Sequence, residues 1–300
     1  MIWQHAGQLQ HLEITNEEVK NDDRELLLVD IFGETSPGCM PLLETLTIRS
    51  FVGKPVFSGH QILDLLRQMP NIIKFRTEPS YHLLLSEEII VPSLRQLLFG
   101  DDKDWHDEIL DFLSLPALET LAVSMDFPDN ALRFMMRSTP PLQDLEIAWN
   151  CESSSIHLLE CLRLTPSLVQ LRMLWPEVPL VEDFFAALAN SPSLLPNLCR
   201  LIVHPEYDSD IFEADSPSMF PSVFSEVFWR TLVRALSARH NQLRVFTLEP
   251  VKMPLASDVL AVLNELVVGG MQIYVGTEES NFAATGFPME ALRYYDRWWE

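Results

Sequence analysis

The sequence predicts an α/β fold built from repeated strand–helix units, and three observations lead to this prediction. A short apolar motif with fixed internal spacing recurs along the chain. Stretches with the apolar spacing of a helix lie between most of its copies. The chain is also 47% hydrophobic and 21% charged, which is typical of globular proteins with a large core.

The motif has the form Pro-x-Leu-x-x-Leu-x-Val, and its three apolar positions are called here the first, second and third anchors. Its clearest copies span 41–48, 116–123 and 140–147. Nine copies fit the frame, with gaps of 22 to 45 residues between successive first anchors. Periods in this range are typical of repeat proteins. The first anchors are Leu9, Leu43, Ile72, Leu94, Leu118, Leu142, Leu168, Leu198 and Leu243.

The segments between the copies predict helices with one buried face, because apolar residues recur at i, i+3 and i+4. A further helix is expected over 224–236. The gap between Ile72 and Leu94 is too short for a full helix, so we expect an extended or single-turn connection through 78–80. The apolar sets are Ile62, Leu65, Leu66 and Met69; Ile109, Phe112 and Leu113; Leu132, Met135 and Met136; and Val181, Phe184, Phe185 and Leu188.

Each strand–helix unit is too small to bury its own apolar face, and stacking the units solves this problem. We therefore expect one domain over 1–300, an irregular leucine-rich-repeat solenoid with parallel strands on the concave face and helices on the convex face. Within it, 206–222 is interpreted as an inserted acidic loop and 277–300 as a C-terminal cap. An ordinary α/β fold with parallel strands is the alternative.

The charge balance bears on partners, because 21 basic and 43 acidic residues give a formal net charge of −22. Nucleic acid and anionic membranes are not expected partners, since binding to them depends on Lys and Arg. We expect a protein partner instead. If that partner is basic, the acidic loop would raise its association rate. The loop carboxylates are Glu206, Asp208, Asp210, Glu213 and Asp215.

The four cysteines have no disulfide-framework spacing, and we interpret them as reduced thiols. The N-terminal residues lack the pattern of a signal peptide, and no apolar run reaches the ~20 residues of a membrane span. These features predict a cytoplasmic or nuclear protein.

Motifs for phosphate loops, dinucleotide binding, hydrolase elbows and zincin helices do not occur in the sequence. The spacing of Cys151, His157 and Cys161 matches no familiar zinc site. The acidic run 101–108 is better explained as a loop leading into the helix of Ile109, with Asp107 and Glu108 favoured at its N-terminus. We therefore expect no catalytic residue, no metal site and no cofactor.

The repeats resemble the degenerate leucine-rich-repeat region of F-box proteins from mushroom-forming fungi (basidiomycetes). The resemblance rests on the segments 41–48, 116–123 and 165–171, and on 269–276, which is similar to the last strand of that family. It implies a substrate-recognition region of an F-box-type ubiquitin ligase receptor. No Leu-Pro-x-Glu-Leu-like F-box cluster precedes Gln8. Binding to the ligase adaptor is thus expected only if an F-box is supplied elsewhere.

The sequence alone favours a non-enzymatic protein-binding module. Its contacts would come from residues between and just after the strand leucines, on the concave face. An unrelated α/β enzyme without a recognisable motif is the rival hypothesis. A shallow, open, curved sheet would favour the first, and a deep polar pocket the second. The expected binding residues are Arg76, Glu146, Arg172, His204 and Glu249.

Overall fold

The computed structural model is an α/β protein that divides into two compact units, Met1–Leu168 (unit 1) and Val169–Glu300 (unit 2). The expectation of one domain over 1–300 stays a prediction. Within the described residues, no helix is both long and apolar enough to span a membrane. The described residues are 2–16, 28–29, 31, 38–50, 56–77, 81–82, 87–99, 107–125, 128–149, 155–205, 224–251, 255–277 and 280–282.

Unit 1 contains a parallel six-stranded sheet and two small side sheets. In chain order its strands are β1 (His11–Asn16), β2 (Leu28–Val29), β3 (Thr45–Ser50), β4 (Val56–Ser58), β5 (Lys74–Thr77), β6 (Tyr81–His82), β7 (Ile89–Ile90), β8 (Gln96–Phe99), β9 (Leu113–Ser114), β10 (Thr120–Met125) and β11 (Asp144–Trp149). The main sheet has the order β1-β3-β5-β8-β10-β11, and the side sheets are β2-β4-β6 and β7-β9.

Each α-helix of unit 1 follows a strand along the chain. The helices are α1 (Gly59–Arg67), α2 (Pro128–Ser138) and α3 (Ser155–Arg163), with 3-10 helices at Ile2–Gln8 and Asp107–Phe112. The helix expected at Ile109 is therefore a 3-10 helix, and it begins at Asp107.

Unit 2 repeats the alternation of strand and helix. Its strands β12 (Gln170–Leu174), β13 (Arg200–His204), β14 (Val245–Leu248) and β15 (Gln272–Thr277) are parallel, and β16 (Ser280–Asn281) pairs antiparallel with β15. The helices α4 (Val178–Asn190), α5 (Glu226–Arg239) and α6 (Ser257–Val268) complete it. The ring of Phe185 in α4 meets that of Phe246 in β14 edge to face at 5.8 Å, so α4 covers the buried side of this sheet.

The register of both main sheets follows the sequence frame. In unit 1 the second anchors pair in an unbroken row across all six strands. In unit 2 the second anchors of β12, β13 and β14 pair in the same way, and the row continues to Ile273 of β15, which lies outside the nine copies. Every member of the two rows is buried. The rows are Leu12, Leu46, Phe75, Leu97, Leu121 and Leu145 in unit 1, and Leu171, Leu201, Phe246 and Ile273 in unit 2.

In six of the nine copies, the proline of the motif occupies the second position of a tight turn that opens the copy. The first-anchor N–H donates to the carbonyl three residues earlier, as Leu118 does to Leu115 at 3.2 Å. Proline suits this position because its fixed φ matches the turn. The same turn contains Pro41, Pro70, Pro92, Pro116, Pro166 and Pro196.

Polar side chains just before the first anchor tie successive turns together. Asn71 Nδ2 donates to the carbonyl of Pro41 at 2.7 Å, and Ser167 Oγ donates to that of Leu142 at 2.8 Å. In unit 2, Gln242 Nε2 donates to the carbonyl of Leu195 at 3.0 Å. These bonds satisfy turn carbonyls that would otherwise need water.

In each unit, an arginine in the last turn of a helix donates hydrogen bonds to carbonyls at the end of the preceding helix. Arg137 Nη2 donates to the carbonyl of Leu113 at 2.7 Å. Arg239 Nη2 donates to the carbonyls of Ser191 at 2.6 Å and Leu194 at 2.8 Å, just beyond the end of α4. A cation is favoured there because helix C-termini carry partial negative charge. Burial lowers the pKa of Arg239.

The buried face of α2 differs from the sequence expectation. Met136 was expected to be buried with Leu132 and Met135, but Met136 is 64% exposed. Leu132 is half-buried, and the buried positions are Asn130, Ala131, Phe134, Met135 and Ser138. Ser138 is stabilised in the core because its hydroxyl accepts a hydrogen bond from the N–H of Leu115 at 3.1 Å.

Candidate binding surface

Each main sheet has a second face, opposite the buried anchors, which we call the outer face. In β11 and β13 every other side chain is buried, so the intervening residues point to the outer face. In β13 these are Arg200, Ile202 and His204, all half-buried. The outer face is therefore where the chain can offer strand side chains to a partner.

The five residues expected to form the binding surface fall into two groups. Arg76 and Glu146 belong to the sheet of unit 1, where β8 and β10 lie between their strands. Arg172, His204 and Glu249 lie on or just after neighbouring strands of unit 2. Glu146 and His204 are half-buried, whereas Arg76, Arg172 and Glu249 are only 5–7% exposed.

The three residues of unit 2 form a desolvated cluster near the carboxyl ends of the strands. Burial, together with the nearby Arg172 guanidinium, lowers the pKa of His204 to about 3, and a hydrogen bond with the backbone of Glu249 acts in the opposite direction. His204 is thus neutral at physiological pH. The Glu249 N–H donates to the carbonyl of Val203 at 3.1 Å, which holds the segment after β14 against β13.

Trp175 places a strained backbone residue beside this cluster. Its φ of 55° lies in the left-handed region, which a bulky residue rarely adopts. The Trp175 N–H donates to the carbonyl of His204 at 2.6 Å, so the strained residue is held by the strand that carries the histidine.

The amino ends of the unit 2 strands are more open than this cluster. Arg200 is half-buried and its Nη1 donates to Gln170 Oε1 at 3.1 Å, and Arg244 is exposed just before β14. Sequence reasoning selected the positions after the second anchor and missed these two arginines. The repeat frame could have identified them, since it places the two residues after each first anchor outside the core.

Several expected features lie outside the described residues. These are the acidic loop with Glu206, Asp208, Asp210, Glu213 and Asp215, the run 101–106, Cys151, and most of the proposed cap. The part of the cap region that is described closes the edge of β15. There Asn281 Oδ1 accepts from the N–H of Val275 at 3.1 Å, and Asn281 Nδ2 donates to the carbonyl of Ile273 at 3.2 Å.

The described cysteines Cys39, Cys161 and Cys199 are free thiols. Burial raises the pKa of Cys161 to about 12, so this thiol stays protonated and unreactive at neutral pH. Among the residues that the structure covers, no group of three His, Cys, Asp or Glu is arranged to hold a metal ion.

No protein-family model matches the chain, and no curated protein is significantly similar to it in sequence. Its interpretation therefore depends on the geometry described above.

Proposed function

We propose that the chain is a non-enzymatic protein-binding module, built as an irregular leucine-rich-repeat solenoid. The observation that carries this proposal is the unbroken row of buried second anchors in each unit. A fixed core row allows the outer-face residues to vary without disturbing the fold, which suits recognition of another macromolecule. In this proposal the outer face is the concave side.

The chemistry of the outer face supports recognition rather than one concentrated reaction centre. Around β10 and β11 it presents Ala122 beside the acidic Asp144 and Glu146, all half-buried. Small side chains leave room for a partner side chain, and the carboxylates provide polar contacts.

By resemblance, the finer proposal is substrate recognition for an F-box-type ubiquitin ligase receptor acting in the cytoplasm or nucleus. In such a receptor the repeats would bind the substrate, and an F-box supplied elsewhere would bind the adaptor. A basic substrate segment would suit the acidic loop.

Affinity capture from cells of a mushroom-forming fungus tests both levels of the proposal. The bait is the full chain, and the matched variants are Ala122→Arg/Glu146→Arg on the outer face and Met136→Arg/Glu160→Arg on exposed helix positions, which change the net charge equally. We expect the outer-face variant to lose specific partners and the helix variant to keep them. Ligase components in the eluate would support the finer proposal. Equal capture by all three baits would contradict outer-face binding.

The alternative of an α/β enzyme is favoured by one observation, the Arg172, His204 and Glu249 cluster with its strained neighbour. Ligands of α/β proteins bind near the carboxyl ends of parallel strands, where this cluster lies. A small-molecule thermal-shift screen distinguishes the two functions. Ligands that stabilise the chain but not its His204→Ala variant would favour the enzyme.

A further inference from the structure

One edge of the unit 1 sheet is open to a further strand. β1 lies at the end of the strand order, and among the described residues only β3 pairs with it in this sheet. We call the side of β1 that faces away from β3 the β1 edge. The N–H of Thr45 donates to the carbonyl of Gln10 at 3.2 Å, so the backbone groups of Gln10 face β3. Because these groups alternate in direction along a strand, those of His11, Glu13 and Thr15 point out of the β1 edge.

The anchors of β1 and of the residues just before it show that a neighbour is missing. Of the nine copies, whose anchors all lie in the described residues, only the first has anchors that are not buried. Leu9 and Ile14, its first and third anchors, are half-buried. The equivalent Leu43 and Ile48 of the next copy are fully buried, and β3 has a strand on each side. Leu9 and Ile14 therefore offer apolar surface that an added strand would remove from water.

β1 has little of the protection that edge strands usually carry. Its six residues pair with β3 in an unbroken register, so no bulge interrupts it, and they include no proline or lysine. Its one acidic side chain, Glu13, is already paired with Arg49 at 3.1 Å. In unit 2, by contrast, β16 pairs with β15, and Asn281 bonds to the backbone of Ile273 and Val275, which are both buried.

We propose that the β1 edge binds an extended segment of a partner protein as an added parallel strand. The segment carries two apolar side chains two residues apart, one beside Leu12 and one beside Ile14, and these continue the anchor rows of the sheet. Its backbone bonds to the outward groups of His11, Glu13 and Thr15. Backbone bonds give such added strands their affinity, and alternate side chains give them specificity. This surface is separate from the outer face, so the inference goes beyond the proposed function and does not rest on it.

Fluorescence anisotropy with the full chain and a labelled peptide tests the proposal. The peptide copies residues 44–50, Glu-Thr-Leu-Thr-Ile-Arg-Ser, because they have the required apolar spacing. In the added strand, the N–H groups of its leucine and isoleucine face β1, and those of its two threonines face away. Methylation of the first two nitrogens should weaken binding about tenfold, the size of two lost hydrogen bonds. Methylation of the two threonine nitrogens is the matched control and should change affinity less than about twofold.

A variant of β1 tests the same contact from the other side. Thr15→Pro removes an N–H that points out of the β1 edge and leaves the bonds to β3 in place, which is where edge strands tolerate proline. It should weaken peptide binding about tenfold, whereas Thr15→Val keeps the N–H and should change affinity less than about twofold. In hydrogen exchange, the amides of Glu13 and Thr15 should exchange rapidly in the free chain and about tenfold more slowly with saturating peptide.

Three results would overturn the proposal: no binding of the peptide, equal weakening by the two methylations, or unchanged binding by a folded Thr15→Pro variant. Light scattering provides a fourth, because a dimer that Thr15→Pro abolishes would assign the β1 edge to a second copy of the chain. The methylated peptides and the exchange measurement use the unaltered chain, so they decide the question even if Thr15→Pro fails to fold.

Discussion

Replacement of neighbouring second anchors should reveal direct energetic coupling between adjacent repeats. Leu121 and Leu145 are register partners on β10 and β11, and both are buried. Each Leu→Ala change removes three carbon-sized groups at ~0.8 kcal/mol apiece. The unfilled cavity brings the loss in unfolding free energy to about 2–5 kcal/mol. The control Leu42→Ala, at a 51% exposed neighbour of a first anchor, should cost less than about 0.5 kcal/mol.

The double variant provides the sharper measurement. Because the two side chains occupy adjacent places in one row, their losses should deviate from additivity by roughly 0.5–3 kcal/mol. Leu46 lies four strand spacings from Leu145 in the same sheet, about 19 Å away, so that pair should be additive within about 0.5 kcal/mol. Urea unfolding followed by circular dichroism measures all the variants. Additivity in both pairs would refute the inferred packing of adjacent repeats.

Three further predictions concern single residues. Thr77→Val should raise the unfolding free energy by about 1 kcal/mol, because the buried Thr77 Oγ1 has no hydrogen-bond partner among the described residues. Urea unfolding measures this change, and an unchanged unfolding free energy would contradict the prediction. Arg239→Met should lower the unfolding free energy by about 2–4 kcal/mol, because it removes the charged hydrogen bonds to helix-end carbonyls. The control Arg230→Met on the same helix should cost under about 0.5 kcal/mol. Equal melting temperatures of the two variants would refute the prediction. The pKa of His204 is lowered to about 3, so its contribution to stability is complete above its unfolded pKa of about 6.5 and is lost as the pH falls below that value. NMR should show a neutral His204 ring at pH 5. Titration of the ring near pH 6.5 would contradict this prediction.

The repeat frame was predictable because core packing repeats it in every copy. The anchors are large and apolar, so their spacing identifies both the strands and the register, as at Leu121 and Leu145. The prolines likewise predict the turns, since only a few backbone conformations accept proline. The side sheets were not predicted, because strands of two or three residues, such as β2 and β4, are too short to show a pattern.

The phase of α2 could not be determined from hydrophobicity. Leu132, Met135 and Met136 fit a helical face as well as the true set does, and Ala131 and Ser138 contribute little apolar signal to that set. The sequence also could not predict how deeply each outer-face side chain is buried. Alternation along a strand shows which side Arg172 faces, but not that it is 5% exposed. Arg239 follows the helix that the sequence predicts over 224–236, but the carbonyls that it binds become known only once α4 is placed.

Site-specific photo-crosslinking tests outer-face binding most directly. A photoreactive residue is placed at Ala122, half-buried on the outer face of β10, and separately at Met136, exposed on α2. Both positions belong to unit 1, so the two experiments compare two surfaces of the same unit. We predict that irradiation links a specific partner through position 122 and not through position 136. A partner linked only through position 136 would contradict the proposal that the sheet is the binding surface.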